Sequence, residues 1–111
     1  MRHDEFIVLD IIRAAQLALV FTQGQDRETF LQDLKTQSAV LHQLMVMGEA
    51  VKRLSLEYRE EHPDIPWKLM AGMRDVLIHG YDIVNLKEVW KTINVDVPQV
   101  LPLLEALAPR D

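Results

Sequence analysis

Two runs of apolar residues with a helical period restrict this chain to a fold built from long packed helices. In the first, Ile7, Ile11, Ala14, Ala18 and Phe21 recur at intervals of four and three in alternation. In the second, Val40, Leu44, Met47, Val51, Leu54 and Tyr58 keep the same rhythm. Such spacing brings a side chain back to one helix face each turn, whereas a half-buried strand needs strict alternation. Phe6, Leu9 and Val20 widen the first stripe, and Leu41, Met45 and Gly48 form a row beside the second. Faces this broad are expected of helices that pack within their own bundle and also against a second chain. Gly48 in mid-helix costs about 1 kcal/mol relative to alanine, so a close backbone approach is the expected compensation.

Capping and breaking residues divide the rest. Asp4 is the expected N-cap of the first helix and Gly24 its stop, with a polar turn over residues 25–29 in which Asp26 caps the next helix. That helix opens with Phe30, Leu31 and Leu34, and Lys35-Thr36-Gln37-Ser38 is where it is expected to bend or break. The acidic residues 57–64 end in Pro63 and read as a connection. Pro66 at a first helical position and Gly80 in the left-handed conformation would then bound a third helix ending at His79. After a non-helical link over residues 80–84, Asn85 caps a short helix carrying Leu86, Val89, Trp90 and Ile93. A last short helix holds Val100, Leu101, Leu103, Leu104 and Leu107, with Pro98 in its first turn and Pro102 placed to kink it. No stretch reads as a strand or a repeat. The expected fold class is all-α, an antiparallel helical bundle with short C-terminal helices, in one domain over residues 1–111.

Composition narrows the function. With 111 residues, 49% of them apolar, the chain can bury a core without covalent staples. It has no cysteine, which excludes disulfides, zinc–thiolate sites and thiol catalysis. No apolar stretch approaches the roughly 20 residues of a membrane span, and Met1-Arg2-His3-Asp4-Glu5 does not open a signal peptide, so no membrane association and a cytoplasmic location are expected. The formal charge is 12 − 17 = −5, which argues against broad, non-specific binding to nucleic acid. A local site is still open to it. Residues 67–95 hold four basic side chains (Lys68, Arg74, Lys87, Lys91) against three acidic ones (Asp75, Asp82, Glu88).

That least acidic region contains the sharpest chemical signal, Arg74 and His79. Arginine supplies a permanent planar cation that fits a phosphate, and histidine a proton donor or acceptor near neutral pH. A helix C-terminus and Asp75, four residues before His79 and within about 40° on the same face, both favour the imidazolium. The pair has the chemistry to cleave RNA without metal: the histidine moves protons at the 2′-hydroxyl or the leaving oxygen, and the arginine stabilises the charged phosphorane. The spacing resists this, because five residues on a regular helix place the two side chains about 140° apart. A loosened helix end or a second copy of the helix would close the gap. The alternative is a surface pair of Asp75 with His79 and an ordinary ion pair for Arg74, and residue types alone favour it. Tyr81 reads on the same basis as a packing residue, Glu49 as partly buried and hydrogen-bonded, and Trp67 and Trp90 as core or interface anchors. No histidine follows a carboxylate by three residues, so the ligand pattern of a di-iron bundle is missing and no metal is expected.

Arg74-x4-His79-x-Tyr81 is similar to the R-x4-H-x-Y signature of the HepT-like toxins, a branch of the HEPN ribonuclease superfamily. Met1-Arg2, Gly48-Glu49-Ala50, Pro63-Asp64-Ile65-Pro66-Trp67 and Trp90 resemble that family in the same order, so the likeness runs through most of the chain. The resemblance implies a bundle of HEPN type, a homodimer, and a metal-independent endoribonuclease without a cofactor, whose RNA cleft lies between protomers. A second motif helix would come from the partner. Carried over by position, Arg74 and His79 would be catalytic and Asp75 would fill the polar place after the arginine. Tyr81 would be the residue to which a nucleotidyltransferase antitoxin transfers AMP, blocking RNA by charge and bulk. The expected function is therefore the toxin of a toxin–antitoxin pair. Two alternatives stand beside it: a catalytically silent helical dimer serving as accessory subunit of a nucleotidyltransferase, and a nucleotide-binding module using the Arg74/His79 pocket.

Overall fold

The first periodic run forms α1 (His3–Phe21), and its face of Ile7, Val8, Ile11, Ala14, Ala15 and Ala18 is buried. The computed structural model describes residues 3–80 and 84–109, without the side chains of Ile78 and His79. After α1 the chain reverses at Gly24, whose φ of +79° is the left-handed conformation expected of a helix stop. Asp26 then caps α2 (Arg27–Gln32) by accepting the Thr29 N–H at 2.8 Å. The break before the next helix falls at Asp33, two residues ahead of the stretch where the sequence places it. Its carboxylate accepts the Thr36 N–H at 3.1 Å and the Thr36 hydroxyl at 2.7 Å. Such a side chain offers the backbone an alternative to continuing the helix, so α2 ends there and α3 (Leu34–Arg53) begins.

α3 is the centre of the bundle, packed along α1 on one side and α5 on the other. It runs antiparallel to α1: Asp4 near the start of α1 meets Ser55 just past the end of α3, while Gln25 after α1 reaches Thr36 in the first turn of α3. Asp4 is therefore not a cap for its own helix. Its buried carboxylate accepts the Ser55 N–H at 2.9 Å and the Ser55 hydroxyl at 2.8 Å. Ser55 in turn caps α4 (Leu56–Glu61) through the Tyr58 N–H, so part of the acidic connection is a short helix. Tyr58 completes the periodic stripe of α3 from across this break and is buried against His62 and Trp67.

α5 (Trp67–His79) ends where expected and starts one residue later, with Pro66 as its cap residue and not its first helical one. The Trp67 ring is buried and its N–H donates to the His62 carbonyl at 2.9 Å. Gly80 ends the helix at φ −133°, not in the left-handed conformation; its N–H closes on the Val76 carbonyl at 2.8 Å. α6 (Leu86–Lys91) is capped by Asn85, and Trp90 packs on Phe30 at 5.2 Å between ring centroids. The two C-terminal helices are not separate pieces. A π-turn (Thr92–Asp96) joins α6 to α7 (Val97–Ala106), and the Val97 N–H reaches back to Thr92. Pro98 has no N–H to close the next ordinary turn, which favours this wider one. α7 runs on through Pro102. Among the described residues there is no strand, and no helix is long and apolar enough to cross a membrane.

The mid-helix glycine marks the place where α3 and α5 come closest. A Cβ on Gly48 would lie 2.7 Å from the Met70 carbonyl oxygen and collide with Arg74 Cβ. Backbone atoms have no room to yield there. Gly48→Ala is accordingly expected to destabilise the protein by about 1–3 kcal/mol through overpacking, despite the better helix propensity of alanine. A lowered thermal midpoint would show it, and an unchanged or raised midpoint would contradict it.

Candidate active site

The close approach at Gly48 sets α3 residues one and four positions further on against α5. Glu49 Oε2 lies 2.6 Å from Arg74 Nε, and Lys52 Nζ lies 2.9 Å from Asp75 Oδ1. Asp75 Oδ1 also accepts from Arg74 Nη1 at 3.1 Å. The four groups thus form a chain in the order Lys52, Asp75, Arg74, Glu49, with charges that sum to zero. The Arg74–Glu49 contact is close without being an aligned hydrogen bond: Nε is buried and its N–H does not point along the line to the carboxylate. Attraction between the charges holds it. Among the described residues no hydrogen bond or ion pair engages Arg74 Nη2, so one edge of the guanidinium remains for another anion.

Arg74 is only 23% exposed, while Glu49 and Asp75 are about half exposed. The hydrogen bond that Arg74 donates to Asp75 and the proximity of Glu49 raise the arginine's pKa still further, so its charge is fixed. Lys52 first, then Arg74, holds the Asp75 carboxyl below its ordinary value. Asp33 is lowered in the same way by Thr36, and Asp26 by Thr29. A carboxyl whose pKa is depressed in the folded state adds stability above its unfolded value, and that contribution disappears as pH falls through the folded value. The thermal midpoint is therefore expected to drop on acidification below about pH 4. Asp75→Asn and Asp33→Asn should each flatten that acid limb. An acid limb unchanged in both variants would show that these pairs do not contribute.

The structure brings Arg74 and Asp75 together and adds two groups that sequence reasoning did not assign to the site. Glu49 is half exposed and ion-paired, not partly buried and hydrogen-bonded; it sits on the rim of the helix crossing. The available signal was Gly48 itself, since polar residues just after a glycine at a helix crossing face the neighbouring helix. His79 is the last residue of α5, but its side chain lies outside the described residues, and so does Tyr81. The expected Asp75–His79 contact and the position of the phenol fall outside them as well. α5 runs as a helix from Trp67 to His79, and regular helix geometry sets positions 74 and 79 about 140° apart around its axis.

A groove of about 540 Å³ between α5 and α7 is lined chiefly by Met47, Leu69, Met70, Met73, Val100 and Leu103, and Arg74 is not part of it. Its walls are mainly thioether and aliphatic, with Asp64, Lys91 and Asp96 also among the lining residues. Among the described residues no three metal-binding side chains converge. The chemically equipped surface is the Arg74 end of α5.

The family model described as Ribonuclease HepT-like matches residues 11–107. The chain is 43% identical to a protein of Thermococcus cleftensis named probable ribonuclease HepT, over 88% of this chain and 89% of that one. It is 39% identical to a protein of Caldanaerobacter subterraneus that carries a provisional RNase name, over 81% of this chain and 80% of the relative. A protein of Methanocaldococcus jannaschii, also provisionally named an RNase, is 38% identical over 88% of this chain and 81% of its own length. No solved structure matches. The all-α bundle and matches of this extent agree with one another: the chain belongs to the HepT-like ribonuclease family.

Proposed function

We propose that this chain, as a single domain over residues 1–111, is a metal-independent endoribonuclease and the toxin of a toxin–antitoxin pair, with Arg74 and His79 catalytic in a cleft shared by two protomers. In this reading His79 takes the proton of the 2′-hydroxyl or gives one to the departing 5′-oxygen as the 2′-oxygen attacks phosphorus. Arg74 meets the charge that builds on the phosphorane. The observation that carries the reading is the guanidinium of Arg74, held by two carboxylates with its Nη2 edge uncommitted among the described residues, on the helix that ends in His79.

The need for a second protomer follows from geometry. One regular helix separates Arg74 and His79 by about 140°, whereas a second copy of α5 brings another histidine to the same groove. An apolar ridge on α5 supports such a contact: Leu69 is 76% exposed and Val76 60%, and nothing stands within 4 Å of the Cβ position at Gly72 between them. A nucleotidyltransferase antitoxin that transfers AMP to Tyr81 is the proposed partner, and the cytoplasm the proposed location.

Incubating the purified protein with RNA in the presence of a chelator, alongside sedimentation analysis, tests the proposal. Metal-free cleavage by a dimer is the expected result. A dimer that leaves RNA intact would instead indicate an accessory subunit of the nucleotidyltransferase, and a monomer would remove the shared cleft.

A further inference from the structure

The Arg74 charge cluster has a feature that catalysis by Arg74 and His79 does not require: a carboxylate from another helix pressed against the guanidinium. Glu49 reaches Arg74 Nε at 2.6 Å, and Asp75 takes Nη1 at 3.1 Å. A guanidinium is a rigid planar fork, so one directional hydrogen bond at Nη1 and a close charge contact at Nε together restrain the way Nη2 faces. Asp75 adjoins Arg74 in sequence and moves with it; Glu49 belongs to α3 and supplies an anchor independent of α5. Lys52 steadies Asp75 from the same helix at 2.9 Å. The helices cannot slide closer or tilt freely here, because Gly48 already touches the Met70 carbonyl region and the Arg74 stem.

We infer that Glu49 is a positioning residue for the proposed ribonuclease, clamping Arg74 through Nε so that the Nη2 edge faces the RNA phosphate. This inference rests on the proposed function. Glu49 has an opposing effect as well. Its negative charge, half exposed beside the arginine, repels the RNA backbone and weakens binding. Aim is therefore gained at some expense of affinity, and removing Glu49 should separate the two. An ordinary structural residue would not show that split, since loosening the fold reduces both.

Single-turnover cleavage at saturating RNA and RNA affinity without metal, measured for the full chain and for Glu49→Ala, Glu49→Gln, Glu49→Asp and Arg74→Ala, test the inference. Glu49→Ala should lower the maximal rate by about 10- to 100-fold, the penalty of a misaimed catalytic group, while RNA binds as tightly as before or more tightly. Glu49→Asp, which keeps the charge, should recover part of the rate. Glu49→Gln keeps the shape without the charge and should fall between the wild type and Glu49→Ala; it carries the test should the alanine variant lose its fold. A wild-type rate in Glu49→Ala with an inactive Arg74→Ala overturns the positioning role and leaves the nuclease reading standing. Weaker binding in both Glu49→Ala and Glu49→Gln also overturns it, making Glu49 a contact or a structural support. Full cleavage by Arg74→Ala defeats the underlying reading itself.

Discussion

Arg74→Ala is expected to abolish RNA cleavage, lowering the maximal rate by about 100- to 1,000-fold, the usual loss when a preorganised charge-stabilising group is removed. His79→Ala should cost about 100- to 10,000-fold, the range for a group that transfers a proton in the transition state. The fold should survive both changes. Alanine retains the Cβ of Arg74, the atom that meets Gly48, so the α3–α5 contact keeps its packing. The ion pairs lost with the guanidinium involve carboxylates that are about half exposed, and pairs screened by water contribute little. Asp75 keeps Lys52 as a partner. Arg74→Lys sharpens the result: it preserves a positive charge but not the planar fork, so it should remain largely inactive if two carboxylates must hold the cation while a third anion binds. RNA cleavage with chelator, paired with thermal melting and sedimentation, measures all of this. Retained cleavage in Arg74→Ala or His79→Ala with an intact fold would show that the chemistry lies elsewhere.

What the sequence revealed about this site, and what it hid, follows from how far each interaction reaches. Features written within one turn of chain were legible: the stripes of α1 and α3, the end of α5, the caps at Asp26 and Asn85, and the positive φ of Gly24. Gly48 announced a close approach but not its partner. Interactions between residues distant in sequence were not legible. Asp4 looks like a cap for α1, yet it binds Ser55 across the bundle, and no local pattern distinguishes the two uses. Gly80 was expected to turn left-handed because glycine permits it; the chain leaves α5 at a negative φ instead. Permission is not requirement. The break at Asp33 and the π-turn before α7 depend on which of several competing hydrogen bonds wins, and periodicity does not record that. For the same reason the motif singles out Arg74 as a candidate, while Gly48 only hints at the Glu49 and Lys52 ion pairs that restrain its end of α5. The Arg74 chemistry is local in sequence, but its orientation is a property of two helices.

Tyr81→Phe is expected to remain an active ribonuclease and yet escape neutralisation. The substitution removes only the phenolic oxygen, the atom on which a transferred AMP would be carried, so modification should be lost completely and cleavage little affected. Distance makes the phenol an effective place for a switch. Tyr81 follows His79 by two positions, and a span of two peptide units reaches at most about 7 Å between Cα atoms, less than the roughly 8 Å over which physiological salt screens a charge. A phosphate attached there would act on RNA before screening removed it, and the attached nucleoside would add bulk in the same groove. The cluster around Arg74 has no surplus positive charge to offset that addition, because Lys52 and Arg74 are balanced by Glu49 and Asp75. Co-expression with a nucleotidyltransferase of the proposed antitoxin class, followed by intact-mass measurement and an RNA cleavage assay, checks each step. Wild-type protein should gain mass and lose activity, and Tyr81→Phe should do neither and remain toxic to the cell. Normal neutralisation of the Tyr81→Phe protein would place the control at another residue or in simple binding by the partner.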